Sequence, residues 1–198
     1  MKARLNILVA LPAEAKAVNR ILGLRRVQPD EELPLYAADD IALVLTGPGM
    51  TATAAGVDTL HRRNGNTDTH WLNIGIAGHG AMPIGQAMLA SSVEAPSSGE
   101  VWNLQVPDHM DCPISPLKTV LQPVSDYPDP VAYDMEAAGF IGKAMAFAPP
   151  DRIHVLKIVS DNPHNPSRAI NAKMVTTLIL EQSTLIEQLI ERILRDHV

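Results

Sequence analysis

Cysteine is nearly missing from this chain: Cys112 is the only one in 198 residues. A lone thiol forms neither an intramolecular disulfide nor a thiolate metal cluster, so a reducing compartment, the cytoplasm, is expected. Excess positive charge is missing too. The chain has 16 Lys and Arg against 22 Asp and Glu, a net charge of −6. A nucleic-acid binder would show a basic face, and an anionic membrane would select for one, so neither partner is expected. The seven histidines lack the His-x-x-x-His spacing of a helical zinc site. They are expected on solvated surface, and no metal or cofactor is expected. There is no low-complexity linker, no heptad array and no internal repeat. Aromatic residues make up only 4% of the chain.

What is present is an α/β pattern long enough for one domain over residues 1–198 with a sizeable core. Lys2 and Arg4 precede the apolar run Leu5–Leu11, and Ala13-Glu14-Ala15 has the small-x-small form of a cleavage site. The run is short, Asn6 interrupts it, and an amphipathic helix follows. A first core strand over 5–10 is therefore expected, with a helix over 13–22 that stops at Gly23. Glu14 falls on the same face as Val18 and Ile21, in the first helical turn. It either leans out to water, favoured by the helix dipole, or points inward over the end of the strand.

Strands are expected over 33–38 and 41–46. Gly47-Pro48-Gly49 then leads into a helix over 50–63. A strand, a glycine turn and a helix N-terminus together form an anion-ready corner. A strand over 71–74 ends in Gly75-Ile76-Ala77-Gly78-His79-Gly80, whose glycines allow close backbone approach. Another strand is expected over 87–93. Residues 94–130 are rich in Pro, Ser and Asp and read as loops, with one short strand within 101–106. Trp102, Tyr127 and Tyr133 lie in or near this stretch, as a ligand lid or as ordinary loop packing.

Asp134 is placed as the N-cap of an apolar helix running to Phe147. Glu136 in its first turn is a buried carboxylate that needs a partner, either a core donor or a ligand's hydroxyls. Val155–Val159 reads as a strand covered on both faces, with Ser160 and Asp161 at its end. Asp161 either caps the turn at Asn162-Pro163 or stands at a sheet rim where α/β proteins place chemistry. A long amphipathic helix over 167–195 closes the chain.

Four patches now stand in order: the strand with Glu14, Gly47-Pro48-Gly49, Asn73-Ile74-Gly75-Ile76-Ala77-Gly78, and Asp134-Met135-Glu136 followed by Ser160-Asp161. Together they resemble the purine nucleoside phosphorylase/nucleosidase superfamily, most of all the methylthioadenosine/S-adenosylhomocysteine nucleosidases. The resemblance implies a three-layer α/β/α sandwich around a mixed, partly barrel-like sheet, and a homo-oligomer with a dimer favoured. It implies hydrolysis of the N-glycosidic bond of a purine nucleoside or 5′-modified adenosine-like compound. Asp161 would protonate the leaving base, Glu14 would activate water, Glu136 would hold ribose hydroxyls and Met135 would pack on the sugar. Gly49, Gly75, Ile76, Ala77 and Ser160 complete the implied substrate contacts.

Asn73 stands where phosphorylases of the superfamily carry Arg, which favours water over phosphate. Ile76 stands where the hydrolases carry a small hydroxyl residue, and the segment between Ser91 and Asp134 is shorter than usual, implying a remodelled base pocket. Two alternatives follow: a phosphorylase using Lys157 or Arg168 as its phosphate cation, and a non-catalytic nucleoside-binding protein.

Overall fold

The computed structural model describes residues 3–27, 32–65, 68–124, 126–165, 167 and 170–195. β1 (Leu5–Val9) is buried at every position, as a strand covered on both faces must be. Leu5, Ile7 and Val9 face one core and Leu8 the other. On the first side lie α1 (Pro12–Leu22), α4 (Ala172–Glu181) and α5 (Ser183–Arg195). On the second lie α2 (Met50–Asn64) and α3 (Ala137–Ala144). The result is the expected three-layer α/β/α arrangement.

The sheet is mixed. From its outer edge run β2 (Arg25–Val27), β3 (Leu35–Ala38), β4 (Ile41–Leu45) and β1, then β5 (His70–His79). Beyond β5 the sheet curls into a closed ring. β5 pairs with β10 (Ile153–Asp161), β10 with β6 (Ala87–Glu94), β6 with β8 (Ile114–Thr119), β8 with β9 (Ala132–Asp134), and β9 again with β5. β7 (Val101–Asn103) adds to β6. A ring of this kind removes exposed edges from that half of the sheet.

Several expectations are corrected. The strand expected over 71–74 is longer, since β5 continues through the glycine segment to His79. The stretch read as loops supplies β8, β9 follows just beyond it and the two close the ring, and β2 is a further addition. Asp134 ends β9, and Glu136 is the N-cap of α3, which stops at Ala144. Asp134 still accepts from Ala137 N at 2.9 Å, so the expected side-chain bond exists from a residue two positions before the N-cap. The last helix divides at Gln182.

His70, His79 and His154 are buried, not solvated. His79 Nδ1 accepts from Ala81 N and Met82 N, both at 3.0 Å, and its Nε2 lies 3.1 Å from Ser115 Oγ. Two donors on Nδ1 leave the proton on Nε2, and burial lowers the pKa of the ring. The neutral side chain thus pins the end of β5 to β8.

Candidate active site

A cavity of about 450 Å³ opens where β5 and β10 end beside α1 and α3. Glu14, Glu136 and Asp161 all line it. The residues that put them there are local and specific.

Glu14 sits one turn into α1 with Pro12 at the helix start. Its side chain turns back to its own N-terminus. Oε2 accepts from Ala10 N and Leu11 N, each at 2.8 Å, and Oε1 accepts from Ile76 N at 3.0 Å. Gly75 makes room for this, since a Cβ there would stand 2.9 Å from Oε1. Of the two orientations open to Glu14, the inward one is adopted. Burial raises its pKa above the ordinary 4.5, against the backbone donors and the nearby Lys157 charge, which lower it.

Glu136 accepts from Gly49 N at 2.8 Å through Oε1. The anion-ready corner at the start of α2 is thus filled by the chain's own carboxylate. Gly139 permits it: a Cβ there would run into the Met50 backbone, so α3 lies against the first turn of α2.

Asp161 closes β10. A register shift between Val159 and Asp161 marks a bulge, a device that re-aims side chains beside functional sites. Ser160 Oγ donates to Asp161 Oδ1 at 2.5 Å, and Tyr127 OH donates to Oδ2. Asp161 therefore does not cap the following turn. Asn162 does, its Oδ1 accepting from His164 N and Asn165 N at 3.1 and 3.0 Å.

Lys157 lies buried near Glu14 and Glu136. Its side chain is 1% exposed and its Nζ is 2.8 Å from Oδ2 of Asp134, which is fully buried. Thr119 Oγ1 donates to the other oxygen of Asp134 at 2.8 Å. Burial works to lower the Lys157 pKa, but Asp134, Glu136 and Glu14 together hold it above the ordinary value. Lys157 does not line the cavity, so it is not presented to a bound anion there. Arg168 lies outside the described residues.

Of the remaining expected contacts, Met135, Ile76, Ala77 and Ser160 are on the cavity wall, whereas Gly49 and Gly75 are not. Those two glycines instead hold the carboxylates of Glu136 and Glu14 in place. Sequence reasoning missed the Lys157–Asp134 pair and the bond from Tyr127. A signal for the first existed: a lysine inside an otherwise apolar strand must find a buried counter-charge. Among the described residues no group of three or more His, Cys, Asp or Glu side chains is placed to hold a metal ion. None of their helices is long and apolar enough to cross a membrane.

Neither a protein-family model nor a curated protein sequence matches the chain. Solved structures do. The 5′-methylthioadenosine nucleosidase of Arabidopsis thaliana, in apo form, superposes with a TM-score of 0.83 at 16% identity, over 97% of this chain and 96% of that one. A methylthioadenosine/S-adenosylhomocysteine nucleosidase from Colwellia psychrerythraea, in complex with adenine, gives 0.76 at 14% identity, over 98% and 96%. A futalosine hydrolase mutant of Helicobacter pylori gives 0.76 at 12% identity, over 96% and 99%. The chain therefore has the nucleoside phosphorylase-like fold that these nucleosidases share.

Proposed function

We propose that this protein is an N-ribosyl hydrolase that cleaves a purine nucleoside or a 5′-modified adenosine-like compound and releases the base. The observation that carries the reading is the convergence of Glu14, Glu136 and Asp161 on one cavity, in the fold of enzymes named for this reaction. Breaking the C1′–N9 bond builds positive charge on the ribose and negative charge on the base. Asp161, at the polar end of β10, donates a proton to the departing base. Glu14 takes a proton from the attacking water. Its raised pKa makes the ionised carboxylate a stronger proton acceptor than an ordinary glutamate. Glu136, fixed by Gly49, holds the ribose hydroxyls, and Met135 packs beside the sugar.

Water is preferred to phosphate as the nucleophile for two reasons. The N–H at the start of α2 already serves Glu136. Lys157 is sealed beneath the cavity and paired with Asp134. The reading includes a cytoplasmic homodimer in which a second copy covers the exposed Val101, Ile114 and Leu121; light scattering reads the mass. The direct test is release of base from methylthioadenosine, S-adenosylhomocysteine, adenosine, inosine and futalosine-like compounds, with and without phosphate. Release that needs no phosphate is expected. Release only with phosphate identifies a phosphorylase, and measurable binding without release identifies a nucleoside-binding protein.

A further inference from the structure

Tyr127 reaches the site from the segment that joins β8 to β9, and three features hold it there. Its ring lies against Gly78, where a Cβ would stand 2.5 Å from Cε1 and 2.9 Å from Asp161 Oδ2. It meets Tyr133 edge-on, with centroids 5.8 Å apart and an interplanar angle of 71°. Its backbone has φ +43°, a conformation uncommon for a side chain of this size and kept only where surroundings enforce it. The residue is buried and its hydroxyl meets Asp161 Oδ2.

We propose that Tyr127 is a positioning residue for proton donation: its hydroxyl orients Asp161 and stabilises the negative charge that Asp161 acquires as its proton leaves for the base. The inference rests on the nucleosidase reading above. Ser160 and Tyr127 divide the two carboxyl oxygens between them, but they are not equivalent. Ser160 Oγ has one proton and two acceptors in reach, Asp161 Oδ1 at 2.5 Å and Ala77 O at 3.3 Å. Tyr127 directs its proton at Asp161. Burial, and then the bond to Asp161, raise the Tyr127 pKa, so the phenol remains a donor throughout the working range.

The step balances without a co-reactant. As C1′–N9 breaks, its electron pair goes to the base, and the Asp161 carboxyl proton goes to a base nitrogen. The carboxylate left behind accepts the Tyr127 O–H, a fixed donor aimed where charge develops. Water adds at C1′ and gives one proton to Glu14. Exchange with solvent then returns Glu14 and Asp161 to their starting forms.

The test compares two leaving groups in Tyr127→Phe, which keeps the ring packing. One substrate is the purine nucleoside the enzyme cleaves. The other is p-nitrophenyl riboside, whose nitrophenolate departs without a proton. Loss of a hydrogen bond to a charged group predicts that kcat on the purine substrate falls about 10- to 100-fold with KM little changed. Turnover of the nitrophenyl riboside should fall far less than that of the purine substrate, and Asp161→Asn should shift the ratio of the two rates in the same direction. Equal losses on both substrates, or a change confined to KM, would overturn the role of Tyr127 and leave the nucleosidase reading intact. If the unaltered chain releases neither leaving group, both fall. A thermal melt of the variant that matches the parent separates these outcomes from misfolding.

Discussion

Removing the Lys157 ammonium is the perturbation with the most to tell. In Lys157→Met the side chain keeps its length and loses its charge. Asp134 is then a fully buried carboxylate, still served by Thr119 Oγ1 and Ala137 N but without its cation at 2.8 Å. Breaking a buried pair from one side costs about 3–5 kcal/mol, because the surviving charge has no compensation. For a chain of this size that lowers the melting temperature by roughly 6–20 °C. The charge also acts on Glu14, where it favours the ionised form. Without it the Glu14 pKa rises further above its already raised position. As the proposed base, Glu14 must be ionised to accept a proton from water, so turnover is expected to be lost as pH falls through that pKa. In the variant the loss therefore begins at a higher pH.

A second variant separates the two effects. Lys157→Met with Asp134→Asn removes both charges, so most of the stability should return while the shifted acid limb of the rate profile remains. Differential scanning fluorimetry and kcat against pH are the assays. A single variant that melts like the parent, or a double variant no more stable than the single, would refute the stability argument. An unmoved acid limb would refute the link between Lys157 and Glu14.

Gly78→Ala should be harmful despite its small size. The new methyl meets the buried Tyr127 ring and Asp161 Oδ2, and overpacking of this kind costs about 1–3 kcal/mol; purine release and the melting temperature should both fall. Cys112 should resist alkylation in the folded protein, since burial pushes its pKa up to about 11 and leaves little thiolate near neutral pH. A thiol reagent should titrate it only in step with unfolding.

Much of the frame was legible because it rests on strong local patterns. β1, β4, α2 and β10 each announce themselves by periodicity or by an unbroken apolar run. The three acids stood out as carboxylates placed against the hydrophobic pattern. β8 did not, since it contains Pro116 and Lys118 and buries only alternate residues. β9 is three residues long, too short for any periodicity, and it is strand only because β5 and β8 pair with it. The extension of β5 through Gly75 and Gly78 was hidden for a related reason. Those glycines are there to clear space for Glu14 and Tyr127, a tertiary demand that local propensity reads as a turn. The helix break at Gln182 falls in the polar stretch Glu181-Gln182-Ser183-Thr184, where helical spacing alone does not distinguish one helix from two. Tyr127 lies 34 residues from Asp161, and no sequence pattern links a loop tyrosine to a strand-end acid over that distance.

The most direct measurement is base release in phosphate-free buffer by the parent, Asp161→Asn and Glu14→Gln, on the substrate the parent cleaves fastest. General acid and base steps contribute about 10²–10⁴-fold each, so both variants should lose turnover on that scale while still binding the nucleoside. Full turnover by Asp161→Asn or by Glu14→Gln would contradict the assignment of acid and base to this pair.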